Sequence, residues 1–170
     1  MLPVVSFVGN SGAGKTTILE KVVRELKGRG YRVAVIKHVH HDFQIDHAGK
    51  DSWRFTQAGS DSVVIASATK LALIERRTAE PPLDDLVTMV EGRADIVLTE
   101  GFRGGGKPQV LVMRSAQAVE PAQGETGPLA IVSDQPVDAS VPRFDFDEVP
   151  RLTDFLLAHL QPSPPPAGTS

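Results

Sequence analysis

Residues 9 to 16 read GNSGAGKT: three glycines, then a lysine and a hydroxyl, directly behind the apolar run PVVSFV. The spacing fits G-x-x-x-x-G-K-[ST], and its place between an apolar run and a helix-periodic segment gives the text match physical content. Glycine adopts positive φ at little cost, so the successive N–H groups of Gly9, Asn10, Ser11, Gly12, Ala13 and Gly14 can curl around an anion. A helix beginning just behind them adds its partial positive charge. In such a cup Lys15 reaches the β and γ oxygens of a nucleoside triphosphate, Thr16 offers its hydroxyl to Mg²⁺, and Thr17 is placed for the α-phosphate. The alternative is a glycine-rich turn with a surface lysine.

A triphosphate site also needs a carboxylate to orient the hydrated metal. ADIVLTEG, residues 94 to 101, offers Asp95 at the start of a strand and Glu100 at its end. Ligands meet the carboxyl edge of a parallel sheet, which favours Glu100; otherwise it is an acid ending a strand for turn chemistry. Asp42, in the loop after the second strand, which also emerges at the carboxyl edge, is a second candidate metal or catalytic carboxylate beside Lys15 and Glu100. His38, His40, His41, Asp42, Asp46 and His47 crowd one segment, which suggests either a transition-metal site or a polar loop over phosphates. Arg54 and Arg103 meet substrate phosphates or are solvated surface cations, and Trp53 reads as a packing residue. Asp134 follows a late strand, where it could accept hydrogen bonds from the N1 and N2 donors of guanine; no neighbouring Asn-Lys pair supports it.

The elements that must hold these groups follow from periodicity. Residues 3 to 8 read as a buried strand and 15 to 29 as a helix with apolar positions at Ile18, Val22, Val23 and Leu26. YRVAVIKH, 31 to 38, is a second strand, completing a right-handed βαβ unit. A short helix over 50 to 59 ends at Gly59. Two β-prone runs, 61 to 67 and 70 to 76, stand too close for a crossover helix and predict an antiparallel hairpin or meander at the sheet edge. A helix over 81 to 92 leads into the strand 94 to 101, with further strands at 109 to 114 and 129 to 134 and a last helix over 149 to 160. The expected fold is α/β, a three-layer sandwich with a mostly parallel sheet.

With 170 residues, 41% hydrophobic and 23% charged, the chain suits one domain over 1 to 160. The tail 161 to 170 is proline-rich with little to bury, and disorder is expected there. A formal charge of −3 without a basic cluster argues against nucleic acid or an anionic membrane as partner. No apolar run approaches the roughly 18 to 20 residues of a membrane span, and the short apolar start lacks a cationic leader, against an export signal. Zero cysteines exclude disulfides and thiolate sites and fit a reducing, cytoplasmic setting.

FVGNSGAGKTTI, VAVIKHVHHDF, DHAGKDSWRFTQAGS, DIVLTEGFR and AIVSD together resemble the molybdopterin-guanine dinucleotide biosynthesis protein B family, the MobB-type GTP-binding proteins, over roughly residues 4 to 134. The middle segment, with Gly49, Lys50, Asp51, Ser52, Arg54, Ala58 and Gly59, is more specific than the phosphate loop. Ala48 stands where the family usually has proline, and RGGGKPQV after Phe102 carries extra glycine. The resemblance implies a homodimeric P-loop NTPase fold that binds GTP with Mg²⁺ and hydrolyses it weakly. It further implies support of the molybdenum cofactor guanylyltransferase, which joins GMP to molybdopterin, so that enzyme and a molybdopterin-type cofactor are the expected partners. Under it Gly9 to Thr17 form the nucleotide loop and Glu100 the strand-end acid. A small-molecule P-loop kinase, with Arg76 and Arg77 as lid, and a metallochaperone GTPase, with the His38 to His47 loop, are the alternatives.

Overall fold

The computed structural model describes residues 2–39, 41, 43–114 and 127–164. Their elements in chain order are β1 Val4–Val8, α1 Lys15–Gly28, β2 Val33–Lys37, α2 Asp51–Gln57, β3 Ser62–Ala66, β4 Leu71–Glu75, α3 Leu83–Met89, β5 Ile96–Glu100, β6 Gln109–Met113, β7 Ala130–Ser133, β8 Arg143–Phe144 and α4 Val149–Leu160. They divide into two compact units, Met1–His38 with Pro82–Ser170, and Val39–Pro81.

In the larger unit six strands lie in the order β2-β5-β1-β6-β7-β8, each neighbouring pair parallel. β1 is buried along its whole length. A strand covered on both faces must be apolar on both, which is why VVSFV does not alternate. On one face α1 lays Ile18, Leu19, Val22 and Leu26 against Val5, Phe7 and Leu98, together with Leu152 and Leu156 of α4. On the other face α3 contributes Leu83 and Val87 to a cluster with Val4 and Val97. Helices on both sides of a parallel sheet make the expected α/β sandwich of the P-loop NTPase type.

β8 was not expected. It is two residues long and pairs with β7 in parallel, Ile131 against Arg143 and Val132 against Phe144. So short a strand leaves no periodicity to read; the sheet neighbour creates it.

The smaller unit holds α2 and the antiparallel hairpin β3/β4, paired through Val63↔Ile74 and Val64↔Leu73. The hairpin is antiparallel as expected, but it forms its own two-stranded sheet, not an edge of the six-stranded one. Its register is closed locally, with the Ser67 amide donating to the Lys70 carbonyl and the Ser67 hydroxyl accepting from the Thr69 and Lys70 amides. Of the proline-rich tail, 161 to 164 carry no regular structure and the rest lies outside the described residues.

Asp95 stands at the amino edge of the sheet, away from the strand ends that follow β1 and β5. Its carboxylate accepts from the Arg32 amide at 2.7 Å and from the Arg32 guanidinium at 2.6 Å and 3.1 Å. The Arg32 hydrogen bonds hold the Asp95 carboxyl below the usual carboxylate range, outweighing its desolvation. This acid is a strand clamp between β2 and β5. Asp95→Ala leaves the Arg32 amide unpaired and should cost about 1–3 kcal/mol in urea unfolding near neutral pH. Because the folded value is depressed, the charge-dependent part of the difference between wild type and variant should be full above the ordinary aspartate range and be lost as pH falls through the lowered value.

Candidate functional site

β1 ends at Val8, and the next residue has no room for a side chain. A Cβ on Gly9 (φ 155°) would lie 2.1 Å from the Val112 carbonyl oxygen of β6. The chain then turns through Asn10 to Ala13, with the Ala13 amide on the Asn10 carbonyl at 3.2 Å. It enters α1 at Gly14, whose φ of 92° lies in the left-handed region that suits glycine. No side chain caps α1 and its first turn carries no acid. Among the described residues, the amides of Gly14, Lys15, Thr16 and Thr17 donate to no protein acceptor. Such a terminus presents donors and partial positive charge to whatever lies in front of it.

The side chains of this turn are engaged with the chain itself. Lys15 Nζ donates to the carbonyls of Gly9 at 3.0 Å and Asn10 at 2.8 Å. Thr16 Oγ1 lies 2.9 Å and 3.0 Å from the two carboxylate oxygens of Glu100. The register explains that meeting: β5 lies beside β1 with Phe7 opposite Glu100, so β5 ends where the loop begins. β2 brings Lys37 opposite Glu100 from the other side, and its Nζ lies 3.6 Å from Glu100 Oε2. Glu100 is 15% exposed at the side chain, so its charge is compensated by a hydroxyl and an ammonium instead of bulk water. Behind it, Thr99 Oγ1 lies 2.9 Å from the buried Ser6 Oγ, and the Gly101 amide donates to the Phe7 carbonyl. The next residue, Phe102, takes a left-handed φ of 58° and stacks on His38 with ring centroids 4.7 Å apart.

On the β6 side the turn borders a cleft of about 200 Å³ lined by Asn10, Ser11, Gly12, Ala13, Val112, Met113 and Arg114. Hard oxygen donors (Thr16, Glu100), an ammonium (Lys15) and free helix-terminal amides make this edge suited to a polyphosphate with a hard divalent cation.

The other expected residues fall elsewhere. Asp134 directly follows β7, at the same sheet edge, and is exposed. Asp42 and His40 lie outside the described residues. His38 closes the larger unit, whereas His41, Asp46 and His47 belong to the smaller one, where the His47 amide donates to Asp46 Oδ1. Among the described residues no three metal-ligating side chains are grouped to hold an ion. Arg54 pairs with Asp51 along α2 at 3.7 Å, and Trp53 is half-buried. Arg76 and Arg77 are bonded within their own unit, to the Thr56 carbonyl and to Glu75. Arg103 is exposed. Lys37 and Arg114 were not among the expected residues; Lys37 ends β2 and Arg114 follows β6, and neither carries a local signal, since the strand order alone brings them to this edge.

The chain matches the family described as Molybdopterin guanine dinucleotide synthesis protein B over residues 4–134. It is 35% identical to the molybdopterin-guanine dinucleotide biosynthesis adapter protein of Haemophilus influenzae over 156 residues, covering 91% of this chain and 88% of that protein. The Escherichia coli protein of the same name is 32% identical over 166 residues, 95% of each chain. A crystal structure of molybdopterin-guanine biosynthesis protein B superposes with a TM-score of 0.75 at 39% identity, covering 92% of this chain and 99% of that one.

Gly9→Ala tests the constraint at the end of β1. The added methyl must displace the Val112 carbonyl, and overpacking of this kind costs about 1–3 kcal/mol. Thermal unfolding should show a lowered midpoint, whereas Gly12→Ala, with nothing within 4 Å of the added carbon, should lose only the smaller cost of its φ of 76°.

Proposed function

Since the chain belongs to the molybdopterin guanine dinucleotide synthesis protein B family, with an adapter's role in that biosynthesis, we propose that it acts by binding GTP with Mg²⁺ in the turn from Gly9 to Thr17. The observation that carries this reading is the meeting of Thr16 with Glu100, 84 residues apart, at the mouth of an uncapped helix that also bears Lys15. The amides of the turn and Lys15 would hold the phosphates, and Thr16 with Glu100 would hold the magnesium. The bound metal supplies charge neutralisation on the phosphate oxygens and polarises the water around it. Glu100, fixed by Lys37 and the Thr99–Ser6 pair, keeps the acid of the site in one position. Weak hydrolysis of GTP belongs to this proposal, with Glu100 as the orienting carboxylate and Asp134 as acceptor for the guanine edge. The molybdenum cofactor guanylyltransferase is the proposed partner, with molybdopterin-type cofactor as cargo between them.

A homodimer is part of the same proposal. β3 and β4 turn Val64, Leu73 and Leu71 to one face of the hairpin, at 61%, 48% and 66% exposure. A run of exposed apolar side chains on an isolated hairpin is an association surface. Its proposed occupant is a second copy of the chain.

Lys15→Ala should abolish GTP binding in titration calorimetry while the unfolding midpoint stays within a degree or two. Retained affinity would remove the site. Glu100→Gln should slow magnesium-dependent phosphate release by about 10-fold or more, the usual scale for losing one positioned carboxylate, with a smaller change in GTP affinity; an unaltered rate would strip Glu100 of its role. Pull-down of the guanylyltransferase with and without GTP tests the adapter function. For the dimer, Val64→Glu combined with Leu73→Glu should shift sedimentation velocity to a monomer; a persisting dimer would place the interface elsewhere.

A further inference from the structure

Arg114 follows β6 directly and has no role in the reading so far. Its guanidinium lies 4.8 Å from the ring centroid of Phe146, a largely buried residue between β8 and α4. The same pair closes on the start of α1. A Cβ on Gly14 would meet Phe146 Cε1 at 3.0 Å and Arg114 Nε at 3.2 Å, so both side chains pack against the residue that caps the helix. Arg114 also lines the cleft with Asn10 to Ala13. Several other cations of the larger unit are committed, whereas Arg103, behind β5, is exposed. Lys15 is bonded to the loop carbonyls, Lys37 faces Glu100, Lys107 pairs with Asp84 at 2.5 Å, and Arg143 donates to the Ser133 carbonyl at 2.8 Å. Among the described residues no carboxylate pairs with Arg114; its guanidinium lies over the face of the Phe146 ring, which leaves its N–H groups available.

Resting on the GTP reading above, we propose that Arg114 is a second phosphate-binding cation of the site, holding a triphosphate oxygen from the β6 side while Lys15 holds it from the α1 side. A planar fork held over the Phe146 ring suits bidentate contact with phosphate, which a lysine does not supply. The register imposes the position. β6 is the neighbour of β1 on the side away from β5, with Val8 opposite Leu111, so β6 runs past the loop and delivers the residue after it to the cleft. Glu100 and Arg114 thus flank the loop from its two sides, one as the acid for the metal and one as a cation for the phosphates.

The test is titration calorimetry of GTP, GDP, ITP and ATP against wild type, Arg114→Ala, Arg114→Gln, Arg114→Lys and, as control, Lys15→Ala. A hydrogen bond to a charged group corresponds to about 10- to 100-fold in affinity. Arg114→Ala and Arg114→Gln should weaken all the triphosphates by the same factor within that range, leaving the preference among bases unchanged. Arg114→Lys should recover part of the loss, and the ligand-free unfolding midpoint should shift far less than the affinity. If Lys15→Ala loses binding while Arg114→Ala and Arg114→Gln stay within two-fold of wild type, Arg114 is a surface stacking residue and the inference fails alone. If the two arginine variants change the preference for GTP over ITP or ATP, Arg114 reads the base and the phosphate assignment is overturned. If Lys15→Ala also keeps full affinity, the underlying site has failed and this inference falls with it.

Discussion

The approach of the Gly9 backbone to the Val112 carbonyl is the constraint from which the rest of the larger unit follows. β1 lies between β5 and β6 in a parallel sheet, so its end is hemmed in on both sides. A chain leaving that slot has no space for a side chain at its first step, 2.1 Å being far inside any carbon–oxygen contact. It must turn over the strand ends before it can coil. α1 therefore begins above the carboxyl edge of β1, with its first amides facing the edge and its apolar stripe already over the sheet. Thr16 meets Glu100 because of this geometry, and Lys37, Arg114 and Asp134 arrive at the same edge only because β2, β6 and β7 are parallel to β1.

That edge also shows what a sequence carries and what it withholds. The turn from Gly9 to Thr17 was readable because its requirements fall on residue types at fixed spacing: glycine where φ is positive, lysine and threonine where a helix starts. Glu100 was separable from Asp95 by one rule about strand ends, and the two acids prove to have opposite placements, one at the loop and one clamping Arg32. Lys37 and Arg114 were not readable, because nothing local marks them. Each is an ordinary cation closing or following an apolar run, and only the strand order brings Lys37 opposite Glu100 and Arg114 to the loop behind β1. The same holds for β8, two residues made a strand by a neighbour, and for the hairpin, whose antiparallel pairing is local while its separation from the main sheet is a property of the whole fold. Family resemblance reached further than periodicity because the segment around Gly49 to Gly59 carries a pattern whose meaning the strand rhythm does not supply.

The two halves of the site stand in different states of preparation. On the acid side, Glu100 is held by Thr16, by Lys37 and, through the backbone at Gly101, by β1 itself, so its position is paid for by folding. On the cation side, Lys15 is tied to two carbonyls of its own loop. Anything that recruits Lys15 must replace both bonds, and the free energy gained is the difference between the new contacts and those two, not their gross strength. Thr16 is subject to the same exchange, since its hydroxyl already serves Glu100. The uncapped amides of α1 exchange hydrogen bonds to water and break none inside the protein. Under the GTP reading, Lys15 and Thr16 act by trading partners, the ammonium leaving two loop carbonyls for phosphate oxygens and the hydroxyl leaving Glu100 for the metal, whereas the amides of the turn meet the phosphates without breaking any bond inside the protein.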